Sequence, residues 1–81
     1  MNKYVMKFKA ACPNNGLIIS YKLTVVTRET IMVETIIAAC HLHASGYHEK
    51  IADAIYARIG AGVHTLRANH HGVRITTVRG K

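Results

Sequence analysis

Eighty-one residues carrying a net charge of +7 and a pI near 9.9 make a single domain, residues 1–81, with no room for a second core. A hydrophobic fraction of 49% and a single proline mark a folded chain and exclude a disordered basic tail. No stretch is long and apolar enough to cross a bilayer, and Lys3 and Lys7 stand where a signal peptide has its apolar region. The expectation is a cytoplasmic protein without a membrane partner.

Residues 3–12 alternate. Tyr4, Met6, Phe8, Ala10 and Cys12 share one face, and Lys3, Val5, Lys7 and Lys9 the other. Period two with one polar side predicts a half-buried antiparallel strand. Pro13-Asn14-Asn15-Gly16 is the turn, since Asn-Gly accepts positive φ. The next strand, Leu17 to Val26, turns Leu17, Ile19, Tyr21, Leu23 and Val25 inward. Two registers keep the apolar faces together: a two-residue loop at Asn15-Gly16, or a four-residue loop. The first sets Lys22 opposite Lys9, the second opposite Lys7. Either juxtaposes like charges, the one local conflict in the hairpin.

Thr30 to Gly60 predicts two amphipathic helices broken at Ser45-Gly46. Val33, Ile36, Ile37, Cys40 and Ala44 form the apolar stripe of the first. Thr27 is placed to cap its start, Glu29 falls in the first turn, and Gly46 ends it in the left-handed conformation. Ile51, Ala52, Ile55 and Ile59 make the second stripe, and Gly60-Ala61-Gly62 breaks the chain again. A second hairpin follows. His64, Leu66 and Ala68 alternate with Thr65, Arg67 and Asn69, the turn is Asn69-His70-His71-Gly72, and Val73 and Ile75 alternate with Arg74 and Thr76. Pairing His70 with Val73 joins Ala68 to Ile75 and Arg67 to Thr76. Val78 interrupts the alternation and predicts a bulge or strand end, with Arg79-Gly80-Lys81 a frayed tail.

The fold class is therefore α+β: a two-layer ββααββ sandwich, its four-stranded, mostly antiparallel sheet carrying both helices on one face. A core of Tyr4, Phe8, Leu23, Ile36, Ile55 and Ile75 is expected between the layers. In element order, and in the run from Glu49 to Arg79, the chain resembles the tunnelling-fold unit of pterin enzymes such as dihydroneopterin aldolase. That resemblance implies an oligomeric enzyme that completes its site between subunits. A homodimer also suits a domain this small.

The chemistry-bearing residues do not form a recognisable motif. Six histidines invite a metal, and Cys40 with His43 is the first pair to consider, but no zinc spacing occurs. Neither a metal nor a cofactor is expected. Cys12 and Cys40 read as buried thiols. A Cys40–His nucleophile pair is conceivable, but Cys40 lies on the buried stripe, where a thiol is usually inert; with no phosphate-cradling loop either, the residues read as those of a non-enzymatic binding module. What stands out is charge placement. The four acids (Glu29, Glu34, Glu49 and Asp53) are confined to the helical middle, so the sheet is positive. Lys3, Lys7, Lys9, Lys22, Arg67 and Arg74 should project from the side opposite the helices. Clustered cations on a rigid sheet suit a polyanion, nucleic acid first, held through its backbone. Two alternatives use other partners. One is a small inhibitor or adaptor of the kind phages carry, anti-CRISPR-like, docking this face on an acidic protein. The other is the oligomeric tunnelling-fold enzyme. The aromatic residues point to the core, so no base-stacking platform is expected.

Overall fold

The computed structural model describes residues 1–80. Its elements are β1 (Asn2–Ala11), β2 (Ile18–Thr27), α1 (Val33–His41), α2 (His48–Ile59), β3 (Val63–His70) and β4 (Val73–Arg79), the expected ββααββ order. The strands form one open sheet in the order β1-β2-β3-β4, and every neighbouring pair is antiparallel.

The first hairpin takes the longer loop. Met6 faces Leu23 and Lys7 faces Lys22, and the Cys12 N–H continues the ladder to the Leu17 carbonyl at 2.8 Å. A two-residue type I′ turn requires positive φ at both Asn15 and Gly16. Here only Gly16 has it, at 73°, while the Asn15 side chain accepts the Leu17 N–H at 3.0 Å and shapes the turn itself. The second hairpin does take the short turn: His71 and Gly72 both have positive φ, at 54° and 83°, and His70 pairs with Val73.

Phe8, Ala10, Cys12, Ile19, Tyr21, Leu23, Val25, Leu66 and Ala68 are buried on one sheet face, against Ile36, Ala39, Cys40, Ile51, Ala52 and Ile55 from the helices. Of the expected core, Tyr4 and Ile75 are only half-buried. They lie on the edge strands, where the helix layer stops short. Leu17, at the loop end of β2, is exposed.

Helix α1 departs most from expectation. Thr27 ends β2 and is buried, its hydroxyl accepting the Glu29 N–H at 3.0 Å. The linker then climbs to the helix layer, anchored by buried Ile31, whose N–H donates to the Tyr4 hydroxyl at 3.0 Å. The helix starts only at Val33, behind Met32, which supplies no side-chain cap. It stops at His41 because β1 captures the next segment. Ala11 N–H donates to the Ala44 carbonyl at 2.8 Å and Gly46 N–H to the Ala11 carbonyl at 3.2 Å. Gly46 accordingly has no left-handed φ, and Ala44 lies outside the helix. The buried stripe is Ile36, Ala39 and Cys40. Val33 and Ile37, 54% and 39% exposed, overhang the β1 edge with no further strand beneath them.

Helix α2 follows its pattern: Ile51, Ala52 and Ile55 are buried, and Gly60 closes it in the left-handed conformation with φ 74°. Strand β4 continues through Val78, which faces Thr65 in regular pairing, so no bulge forms. The pleat keeps its period with the polarity reversed, Thr77 inward and buried, Val78 outward. Arg79 is not frayed. It pairs with His64 in the sheet and its Nε donates to Asp53 Oδ1 at 2.7 Å. Lys81, the end of the expected tail, lies outside the described residues.

Candidate nucleic-acid interface

All six expected cations, Lys3, Lys7, Lys9, Lys22, Arg67 and Arg74, are exposed, and the strand pleat sets them opposite the core-facing residues. Alternation alone put each on that face; the strand order and registers determine which become neighbours. Lys7 is opposite Lys22, Lys22 is opposite Arg67, and Arg67 is opposite Thr76. Three cations therefore stand in one row across β1, β2 and β3, at successive steps of about 4.8 Å. Lys9 lies beside Ser20 in the neighbouring row. The helices and the β2–α1 linker hold every acid, and no Asp or Glu occurs in any strand.

Lys7, Phe8, Lys9, Ser20, Tyr21, Lys22 and Arg67 line a shallow hollow of about 440 Å³. Lys22 and Arg67 also border a second hollow, about 180 Å³, with Lys3, Thr24 and Thr65. Five of the six predicted residues thus form one continuous surface. Arg74, opposite Asn69 towards the far edge, borders neither hollow. The hydroxyls of Ser20, Thr24 and Thr65 belong to this surface and were absent from the sequence prediction. Their outward positions were readable from the pleat; their grouping required the β2–β3 register. Phe8 stacks on Tyr21 inside the core, ring centroids 5.1 Å apart, so the cationic face has no aromatic platform.

A second place brings reactive groups together. Cys12, Tyr21, His48 and His70 line a small cavity of about 40 Å³ between the first hairpin, the start of α2 and β3. His48 Nε2 lies 3.1 Å from the Leu66 carbonyl. A carbonyl only accepts, so Nε2 carries the proton and Nδ1 keeps its lone pair; Nδ1 is buried without a hydrogen-bond partner. Burial pushes the His48 pKa below its ordinary value of 6.5, against the raising effect of the Leu66 hydrogen bond. Cys40, the thiol first considered for catalysis, is elsewhere in the core, and burial pushes it up to about 11. Nothing in sequence spacing links Cys12 to His48; the fold alone brings them to one cavity. Among the described residues no three His, Cys, Asp or Glu side chains come together as a metal site, and no helix is long and apolar enough to cross a membrane.

No protein-family model matches the chain, and no curated protein sequence does. The fold does have a solved counterpart. The archaeosine synthase QueF-Like, in a crystal structure of the apo form, superposes with a TM-score of 0.74 over 96% of this chain and 89% of that one, at 13% sequence identity. The two chains share a fold across nearly their whole lengths. This likeness overturns the expectation of a non-enzymatic module. The counterpart is a synthase, so a ββααββ sheet of this size is a scaffold on which an enzyme is built. The exclusion drawn from the lack of a motif fails, because a site assembled by tertiary packing leaves no local spacing to read.

Proposed function

We propose that the open sheet face binds a polyanion, nucleic acid foremost, through phosphate contacts. The observation that carries this reading is the row Lys7–Lys22–Arg67. It places like charges directly opposite one another on adjacent strands, an arrangement that weakens the sheet, without an acid on any strand to compensate. Bound phosphates would compensate it. Without outward aromatic rings, the contacts would follow the backbone and be indifferent to sequence. The test is fluorescence anisotropy with unrelated duplex and single-stranded oligonucleotides under salt titration. Lys22→Thr should weaken all of them alike and lower the slope of log K against log salt by about one unit. If a Lys7, Lys9, Lys22 triple substitution changes no affinity, the face is only a solvated surface.

A second reading rests on the fold shared with archaeosine synthase QueF-Like together with the cavity occupied by Cys12 and His48. In it the chain is an enzyme of tunnelling-fold type. A thiol and an imidazole with a free acceptor nitrogen, lining one cavity, are the residue types that cysteine-based covalent catalysis pairs. Iodoacetamide should then alkylate Cys12 in the folded protein well before Cys40, and His48→Ala should slow that reaction. Equal, slow labelling of both thiols would remove this reading. The two readings are compatible, since the cations project from one face of the sheet and the cavity lies on the other, with Tyr21 between them.

A further inference from the structure

From the charge density of the hollow over β1, β2 and β3 we infer that its ligand is a linear triphosphate chain rather than a run of phosphodiesters. This rests on the polyanion reading above and narrows it to a substrate class. Four cationic side chains, Lys7, Lys9, Lys22 and Arg67, border one hollow of about 440 Å³, whose lining Phe8, Ser20 and Tyr21 complete. None of the four has a carboxylate partner; the ion pair present among the described residues joins Arg79 to Asp53. The sheet fixes their spacing. Neighbours in the row Lys7–Lys22–Arg67 are about 4.8 Å apart, and Lys7 and Lys9 about 7 Å along β1. The four side chains therefore rise from a patch of backbone roughly 10 Å by 7 Å.

A nucleic-acid backbone brings one negative charge per nucleotide, so a single strand crossing such a patch meets it with one or two. A linked triphosphate concentrates three to four negative charges in the same span. Its length suits the row, with Arg67 offering a planar fork to one phosphate and the lysines acting as point charges on the others. The hydroxyls of Thr24 and Thr65 border the adjoining hollow, which shares Lys22 and Arg67, and would face whatever the triphosphate is attached to. Two sources carry this chemistry, a free nucleotide and the 5′ end of a nucleic-acid strand.

The experiment compares four probes by anisotropy and competition near physiological salt: inorganic tripolyphosphate, ATP, an oligonucleotide bearing a 5′-triphosphate, and the same oligonucleotide with a 5′-hydroxyl. The triphosphorylated strand should bind at least about tenfold more tightly than its 5′-hydroxyl form, and tripolyphosphate should displace it. Lys22→Thr and, separately, Arg67→Gln should abolish most of that preference, while Arg74→Ala, outside the hollow, should leave it intact. ATP binding as tightly as the triphosphorylated strand would identify a free nucleotide as the source; weak ATP binding beside a tight strand would identify a 5′ end. If the two oligonucleotides bind equally, the triphosphate inference is overturned and the phosphodiester reading stands. If no probe binds, both fall. Circular dichroism of each variant confirms that the sheet is intact.

Discussion

At the scale of single residues, the structure separates side chains that hold the fold from those it leaves for a partner. Ile55 is fully buried beneath α2. Ile55→Ala removes three buried carbons and leaves a cavity, so chemical denaturation should show a loss of about 2–5 kcal/mol. Lys22 is the opposite case, exposed and flanked by Lys7 and Arg67. Replacing it with Thr removes like-charge repulsion and adds β propensity, so stability should stay the same or rise by less than about 1 kcal/mol. A larger loss would show that the Lys22 stem is packed. One substitution thus separates a binding defect from a folding defect, which the tests of the sheet face need.

At the scale of elements, the junction between α2 and β3 is a demanding piece of backbone. Gly62 has φ 82°, and a Cβ there would lie 2.7 Å from the Val26 carbonyl and 2.9 Å from the Thr27 Cβ. Both neighbours belong to β2, so relief requires shifting a central strand. Gly62→Ala combines a left-handed φ with this collision and should cost more than about 1 kcal/mol in denaturant titrations. Gly16→Ala shares the positive φ but meets nothing within 4 Å, so it should cost less. Equal losses would mean that φ alone decides at both sites. The α1 outcome is also an element-scale effect. Its 3.6-residue pattern was legible, yet its rotation and length were not. Periodicity says that a helix has an apolar stripe, but the capture of Ala44 and Gly46 by the end of β1 decides where the helix must stop.

For the whole molecule, two inward histidines tie stability to pH. His64 is 3% exposed, its Nε2 donates to the Ala61 carbonyl at 2.8 Å, and Tyr56 meets its ring edge-on at 4.9 Å. Burial pushes its pKa below 6.5, as it does for His48. Their folded values lie below the unfolded one, so in the interval between them the unfolded chain binds more protons. Stability is therefore complete above about pH 6.5 and is lost as the pH falls through the folded values. Thermal melts from pH 8 to pH 5.5 should show a falling Tm, and His64→Asn should flatten the curve. A Tm that does not change over this range would contradict the burial argument.

The ββααββ order, the inward and outward residues of β1, β2 and β3, the second hairpin's register and the six outward cations were all legible in the sequence, because alternation and turn chemistry are local properties of the chain. The choice between Lys7 and Lys9 as the partner of Lys22 was not, since both registers keep Phe8, Ala10 and Tyr21 inward. It fell to the turn, where the Asn15 side chain serves the Leu17 N–H. The row Lys7–Lys22–Arg67 needed the β2–β3 pairing, set by two helices packing between distant stretches of chain. The cavity shared by Cys12 and His48 needed the same closure. Local pattern determined what each residue could face; only the packing of one element on another decided which residue it met.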